Sequence, residues 1–480
     1  MHNEKVIVMV IDALRPDSIT KEAMPTLWAL SERGVRFKNH STCSPSKTRV
    51  ASATIATGCY PSKHGLVNNA LYISGAMINV SNYQELMQLD SSPHGPLLSV
   101  PTLTERLSSA GFSVALSTAS SSGTSFIQNP TRRGFSTNNG SPSFVFPEDQ
   151  ESEIRSRFGV APKVQRPDFE RNIYATDVLV EHIIPELPWD MAFIWFSDPD
   201  KTQHPYGPGS PETLQALNVV DHCIERIINK LQDQDLFDTT DLLILSDHGC
   251  ISADPNCLFA TSMAEEVFPE HLASKFRLVG GNSIYINPTE KAAAADIVRV
   301  LQQQPDIGAI FSSQPNTGTL PISLIGQDHE RSPDILFYPH WTSELNAYGA
   351  RGIAKGTRQH GHGGTSPYET NAVLIAHGPS FLDDTTINTP SGNVDIAPTV
   401  LYLFGQAIDP VMDGRALTES MKEGVDPSEI VPEELSFSCM ARYPDFTYEA
   451  TANIARINNT FYLQQANGAS KSNKKGANCQ

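Results

Sequence analysis

Basic charge is scarce in this 480-residue chain: 35 Lys and Arg stand against 53 Asp and Glu, a formal net charge of −18. That balance argues against a general binder of nucleic acid or of anionic membranes, which works through an electropositive surface. A small anionic partner stays open, because bound cations reverse the sign of a site locally. Long apolar runs are missing as well; none approaches the roughly 20 residues that span a bilayer. Cysteine is sparse, seven residues with no C-x-x-C pair, which suits a reducing cytoplasm. The opening "MHNEKVIVMVID" enters an apolar strand at once and ends in charge, so it does not read as a signal peptide. Cytoplasmic is the expected location. The stretch 464–480, "QQANGASKSNKKGANCQ", lacks apolar content and predicts a disordered tail.

What is present is a repeated design. "VIVMVID" stops at Asp12, "MAFIWFSDPD" at Asp198 and Asp200, and "DLLILSD" at Asp247. Each is a short apolar run of buried-strand type, with carboxylates where it stops. Asp often marks a strand-ending turn, yet three such runs with histidines nearby favour a ligand site. Ligands of open α/β sheets bind beyond the carboxyl ends of the strands. Helical patterns intervene: "MPTLWALSERG", "VPTLTERLSSAG" with Gly111 as a stop, and "LNVVDHCIERIINKL". "GFSVALST" and "NAVLIAHGP" read as further strands. The alternation predicts an α/β fold with a doubly wound, largely parallel central sheet and helices on both faces. A single catalytic domain is expected over 1–463, with 119–170 and 251–350 as cap-like insertions.

The polar motifs supply a ligand set. Asp247 and His248 lie in "LSDHG", Asp200 and His204 in "DPDKTQH", and His362 in the Gly-rich "HGHGG". Hard oxygen and imidazole ligands without thiolate suit zinc first, with manganese or iron as alternatives. With Asp12, these six groups are enough for two divalent cations, a clamp for in-line displacement at phosphorus.

Taken in order, "IDALRPD", "PSKT", "TGCYPSKHGLVNN", "DPDKTQHPYGP", "LSDHG", "HGHGG", "DIAPTVLYLFG" and "MDGRAL" resemble the alkaline phosphatase superfamily, in its type I phosphodiesterase/nucleotide pyrophosphatase branch. The resemblance implies an alkaline-phosphatase-like fold. It implies one cation on Asp200, His204 and His362, the other on Asp12, Asp247 and His248, and the nucleophile oxygen between them. His360 is the rival to His362; the Gly-Gly that follows His362 favours the latter. His64 and His377 are expected to pack or hydrogen-bond rather than bind metal.

"CSPSKTRV" offers two nucleophiles. From Cys43 it nearly spells the sulfatase signature; from Thr48 it resembles a phosphoesterase threonine. In both families the Thr-Gly pair of T-G-x-Y-P-x-x-H-G begins nine residues after the nucleophile, which from Thr57 points back to Thr48. Lys47 also stands where sulfatase maturation wants arginine. Phosphodiesterase relatives carry an asparagine 21 residues on, here Asn69, to hold a phosphoryl oxygen. Thr48 also suits a helix cap, which is compatible with attack because a helix N-terminus favours anionic oxygen. Asn68-Asn69 could equally be turn chemistry.

The expected function is two-metal hydrolysis of a phosphodiester, pyrophosphate or phosphonate ester through a phospho-threonine. Alternatives with the same core are a C–P hydrolase and a phosphate monoesterase; a mutase, a Cys43 sulfatase or a non-catalytic metal scaffold fit less well. The expected partner is a small anionic phospho-substrate, with no nucleic-acid polymer and no membrane; a homo-oligomer is left open. Lys47, Arg49 and Lys201 flank the site in sequence, where solvation and substrate binding are equally compatible with them.

Overall fold

The computed structural model describes residues 5–254, 267–355, 357 and 359–473. Its centre is a nine-stranded sheet in the order Thr385–Ile387, Val35–Phe37, Leu374–His377, Thr240–Leu245, Lys5–Ile11, Met191–Phe196, Val114–Thr118, Phe135–Asn138 and Phe144–Phe146. The five strands from Thr240–Leu245 through Phe135–Asn138 run parallel to their neighbours; Leu374–His377 and Phe144–Phe146 pair antiparallel.

Continuous apolar runs are what a strand covered on both faces requires. Along Lys5–Ile11, Ile7, Met9 and Ile11 pack with Leu27, Val178, Leu217, Val220 and Ile224, from helices Pro25–Arg33, Phe169–Val178 and Pro211–Asp233. The alternate residues Val6, Val8 and Val10 pack with Ile55, Leu107, Ile396 and Val400, from helices Thr48–Thr57, Leu103–Ser109 and Ile396–Leu403. The sheet is therefore doubly wound, as the sequence predicts. Thr102 and Glu105 close a capping box at the start of Leu103–Ser109, the side-chain exchange that satisfies orphan helix N–H groups.

Two expectations need correction, those for 119–170 and for the tail. Residues 119–170 do not form a cap: Phe135–Asn138 and Phe144–Phe146 extend the main sheet. "FSTN" hides this, because its polar side chains are buried but satisfied, Asn138 Nδ2 donating to Thr118 Oγ1 at 3.0 Å and Ser125 Oγ at 2.6 Å. The expected insertion 251–350 is not overturned: among its described residues it carries a separate five-stranded sheet, Phe276–Val279, Ser283–Ile286, Ile335–Pro339, Ile307–Ser312 and Leu320–Pro321 in spatial order, and residues 255–266 lie outside the described residues. The expected tail does not begin at 464. Thr460–Ser472 is a strand, third in an antiparallel sheet with Glu433–Arg442 and Phe446–Ile457. Leu463 and Ala466 pack with Ala309, Phe311 and Leu336 of the five-stranded sheet, so sparse apolar residues suffice where they meet a partner sheet. Residues 474–480 lie outside the described residues.

Among the described residues, no helix is long and apolar enough to cross a membrane.

Candidate active site

The three acid-bearing runs are neighbours. Lys5–Ile11 lies between Thr240–Leu245 and Met191–Phe196, parallel to both, so Asp12, Asp247 and the Asp198–Asp200 turn collect at one sheet edge. Helix Asp200–Tyr206 places Asp200 and His204 one turn apart on the same face. The resulting groups are Asp200, His204, His362 and Asp12, Asp247, His248, with the ligand atoms of each lying within 4.8 Å of one another. His248 and His362 stack with ring centroids 3.7 Å apart, so the two groups are side by side.

Within the first group, Asp200 Oδ1 lies 3.2 Å from His204 Nε2 and 3.3 Å from His362 Nε2. Within the second, His248 Nε2 is 3.1 Å from Asp247 Oδ2 and 3.7 Å from Asp12 Oδ1. The opposite imidazole nitrogens point at backbone carbonyls: His204 Nδ1 to His360 O at 2.9 Å, His362 Nδ1 to Ser46 O at 2.8 Å, and His248 Nδ1 to Gly249 O at 2.9 Å. A carbonyl accepts only, so each Nδ1 carries a proton and each Nε2 faces inward, the orientation of metal-ligating histidines. Indole Nε1 of Trp195 donates to Asp12 Oδ2 at 3.1 Å, and Ala13 N to Asp247 Oδ1 at 3.0 Å.

Those bonds leave Asp12 Oδ1, Asp200 Oδ1 and Asp247 Oδ2 buried without a hydrogen bond among the described residues. Orphaned buried oxygens are uncommon and call for an explanation such as an ion. Charge says the same. Burial, then Asp247 and Asp200, pushes the Asp12 carboxyl well above its usual range. Burial acts against the Asp200 charge too, but Lys201 and His204 outweigh it and hold that carboxyl well below the ordinary value. Burial opposes protonation of His248, yet Asp247 and Asp12 prevail and raise it to about 9. Three buried carboxylates recruit whatever positive charge is near, and the donor set fits two divalent cations.

Thr48 opens helix Thr48–Thr57, and its Oγ1 lies 3.2 Å from His248 Nε2. Asn69 sits over the same turn, its Oδ1 accepting from Arg49 N at 3.1 Å; its amide donates to no protein group among the described residues. Asn68 is used differently, accepting from Lys47 Nζ at 2.9 Å and donating to Ser283 Oγ at 2.7 Å. Cys43 stands apart from the ligands. It is 2% exposed in an apolar cluster with Val50 and Leu66, and burial pushes its thiol up to about 12. Thr48, not Cys43, meets the ligand groups.

His360 lies beside the site without joining a ligand group: its carbonyl accepts from His204 and its Nδ1 accepts from Ala253 N at 3.2 Å. His362 occupies the ligand position. Gly363, at φ +106°, takes a conformation that L side chains rarely adopt, and a Cβ there would lie 2.8 Å from Lys47 Cε. His64 is fully buried between Thr54 Oγ1 and Leu66 N; His377 is partly buried at the end of its strand. Asp198 also turns away, accepting from Asp168 N and Thr202 N.

Sequence reasoning missed the supporting carbonyls of Ser46, Gly249 and His360, which no residue type announces. It also missed Asn282, whose Oδ1 accepts from Lys47 Nζ at 3.0 Å. Lys47, Asn282, His204, His360, His362 and Glu369 line a cleft of about 210 Å³.

A family model described as type I phosphodiesterase / nucleotide pyrophosphatase matches residues 6–368. The chain belongs to this family. Among similar proteins of this phosphodiesterase family, a venom phosphodiesterase of Macrovipera lebetinus is 26% identical over 228 residues, 47% of this chain and 23% of its own length. The bis(5'-adenosyl)-triphosphatase ENPP4 of Bos taurus is 23% identical over 420 residues, 84% of this chain and 78% of its own. The chain thus spans about a quarter of the venom enzymes and most of ENPP4. In solved structures, human ectonucleotide pyrophosphatase / phosphodiesterase 5 superposes with a TM-score of 0.61 at 16% identity, covering 88% of this chain and 100% of that one. The murine protein gives 0.61 at 17%, covering 85% and 96%. The fold is alkaline-phosphatase-like, and the family's members are hydrolases.

Proposed function

We propose that this phosphodiesterase-family chain is a two-metal phosphohydrolase that cleaves a phosphodiester, a pyrophosphate or a related phosphonate ester through a phospho-threonine at Thr48. The observation that carries the reading is the Thr48 hydroxyl at 3.2 Å from His248 Nε2, beside two ligand groups whose inner carboxylate oxygens are orphaned. Asp200, His204 and His362 would hold one divalent cation and Asp12, Asp247 and His248 the other. Zinc is the expected ion, with manganese or iron next, and bound there the pair supplies Lewis acidity to the Thr48 oxygen and the phosphoryl group.

The chain's own residues do the positioning. Thr48 Oγ1 forms a bond to phosphorus as its proton passes to water. The bond from phosphorus to the leaving oxygen breaks, and that oxygen is protonated. Water then displaces Thr48 from phosphorus, restoring the hydroxyl. Thr48 stands at the N-terminus of helix Thr48–Thr57, the positive end of the helix dipole, which favours negative charge on this oxygen. Asn69, oriented through Arg49 N, presents its amide to a phosphoryl oxygen.

Relatives bear the names bis(5'-adenosyl)-triphosphatase and venom phosphodiesterase, and an inactive threonine-to-alanine form of murine ENPP5 was solved in complex with AMP. Those names support a nucleotide substrate here. A reducing compartment is part of the same reading, supported by free thiols at Cys43, Cys59, Cys223, Cys250 and Cys439. The test is a metal-reconstituted screen on bis(4-nitrophenyl) phosphate, 4-nitrophenyl phosphate, 4-nitrophenyl sulfate, a phosphonate monoester and phosphonoacetate. Diester or phosphonate-ester turnover leading the panel supports the proposal; dominant sulfate turnover overturns it.

A further inference from the structure

Thr48 has a cation on each side in the chain, and the two are held differently. Lys47 Nζ is saturated, donating to Asn68 Oδ1, Asn282 Oδ1 and Gly280 O at 2.9, 3.0 and 3.2 Å. Arg49 is not. Its backbone N–H donates to Asn69 Oδ1, and its side-chain Nε donates to Ser121 Oγ at 3.3 Å. Its two terminal nitrogens, carrying four of the five guanidinium N–H donors, meet no hydrogen-bond acceptor and no carboxylate among the described residues. Three other guanidinium groups show the contrast: Arg171 pairs with Asp168 at 2.8 Å, Arg415 with Glu419 at 2.6 Å, and Arg226 with Asp177 at 2.7 Å.

We propose that Arg49 is a specificity-determining residue that receives a second anionic group of the substrate, a carboxylate or a further phosphate, beside the phosphorus that Thr48 attacks. The inference rests on the reading of Thr48 as nucleophile and narrows the substrate class of that site.

Location supports it first. Arg49 shares the first helical turn with Thr48 and is bonded to Asn69, so an anion at its free fork lies next to the scissile group. Chemistry supports it second. A planar fork of N–H donors matches carboxylate and phosphate oxygens two at a time, and Ser121, a neutral partner on Nε, orients the fork without consuming its charge. Electrostatics supports it third. Burial pulls the Arg49 charge below its ordinary range, and the fields of Asp12, Asp200 and Asp247 only partly offset this. Those three carboxylates are committed to the ligand groups, and Lys201 Nζ already sits 2.9 Å from Asp200 Oδ2. A substrate oxyanion is the missing partner for a partly buried cation. A plain diester has no group to offer there; an anhydride or a phosphonocarboxylate does.

The experiment compares the metal-loaded parent with Arg49→Ala, Arg49→Gln and Arg49→Lys. The substrates are bis(4-nitrophenyl) phosphate, which has a single anionic group, adenosine triphosphate, whose second group is phosphate, and phosphonoacetate, whose second group is carboxylate. The expected result is a loss of kcat/KM at least tenfold larger on one acidic substrate than on the diester, carried mainly by KM, with Arg49→Lys recovering part of it. The acidic substrate that loses most identifies the second group. Equal losses on all three substrates overturn the proposal, since a structural role for Arg49 would act on every substrate alike. Arg49→Gln, close in shape, carries the same expectation if Arg49→Ala fails to fold. Equilibrium titration of Thr48→Ala protein with pyrophosphate, phosphonoacetate and inorganic phosphate, with and without Arg49→Ala, separates this inference from the hydrolase reading. If the parent turns over nothing, the hydrolase reading fails, while at least tenfold weaker binding of pyrophosphate or phosphonoacetate still supports Arg49. Unchanged affinity for both overturns it.

Discussion

Removing divalent cations should lower the melting temperature by several degrees, and the size of the drop follows from the orphaned oxygens. Among the described residues, Asp12 Oδ1, Asp200 Oδ1 and Asp247 Oδ2 are buried with no hydrogen bond. An unsatisfied buried polar group costs about 1–3 kcal/mol, more when charged, so three place the relief on cation binding at roughly 3–9 kcal/mol. The entropy of unfolding is about 2.1 cal/mol/K per residue, or about 1 kcal/mol/K for a chain of this length, so that relief converts to roughly 3–9 °C. A cation held at a thousand times its Kd gives about 4 kcal/mol per site by mass action, the same scale. The assay is scanning calorimetry after chelation and dialysis, with zinc or manganese added back. Asp12→Asn sharpens it. The substitution removes one of three mutually repelling buried carboxylates, so the chelated variant should melt above the chelated parent while gaining less from added zinc. A melting temperature that chelation leaves within 1 °C of the parent, or a chelated Asp12→Asn protein that melts lower than the chelated parent, would refute the assignment of these carboxylates to cations.

Thr48→Ala should reduce turnover by about a thousandfold or more, while bound metal measured by mass spectrometry stays near the parent's; full activity would remove Thr48 from the chemistry. His362→Ala should lose cation affinity about tenfold or more, whereas His360→Ala, which keeps the carbonyl that orients His204, should lose much less; the reverse order would exchange their roles. Gly363→Ala forces a side chain into φ +106° against Lys47, a strain of about 1–3 kcal/mol that denaturant titration should register. Burial pulls the His40 imidazole down to about 4 and that of His64 to about 3. Unfolded histidines bind protons near pH 6.5, so the unfolded chain takes them up first. The stability these neutral rings provide is complete above pH 6.5 and is lost as pH falls toward 4, at about 2–3 kcal/mol each by pH 4.5. Denaturant titrations across that range should show the loss, and His40→Gln should flatten its share of the slope; stability independent of pH between 7 and 5 would contradict both burials.

The parallel core was readable because both of its faces are dry. A strand buried on two sides must be apolar throughout, and "VIVMVI", "MAFIWF" and "DLLIL" advertise that. The ligand groups were readable for a related reason: few side chains offer hard oxygen or imidazole donors, so Asp12, Asp200, His204, Asp247, His248 and His362 stand out in the chain. What stayed hidden is whatever the backbone supplies or partnership permits. The carbonyls of Ser46, Gly249 and His360 set three imidazole tautomers, yet any residue has a carbonyl. The strand "FSTN" hides its place because Asn138 bonds to Thr118 and Ser125 instead of packing, and Thr460–Ser472 looks like a tail until Leu463 and Ala466 find Ala309 and Phe311.

Lys47 and Arg49 show the same limit at the site itself. In the sequence they are equivalent cations flanking a threonine. In the fold, Asn68, Asn282 and Gly280 absorb every proton of the one, and Ser121 takes a single proton of the other. Charge type was legible from the chain, but the partners that consume it come from residues 21 to 235 positions away. Selectivity for an acidic substrate is therefore a property of what those distant residues leave unpaired beside Thr48, and it would change with Ser121 or Asn282 while the ligand groups stayed intact.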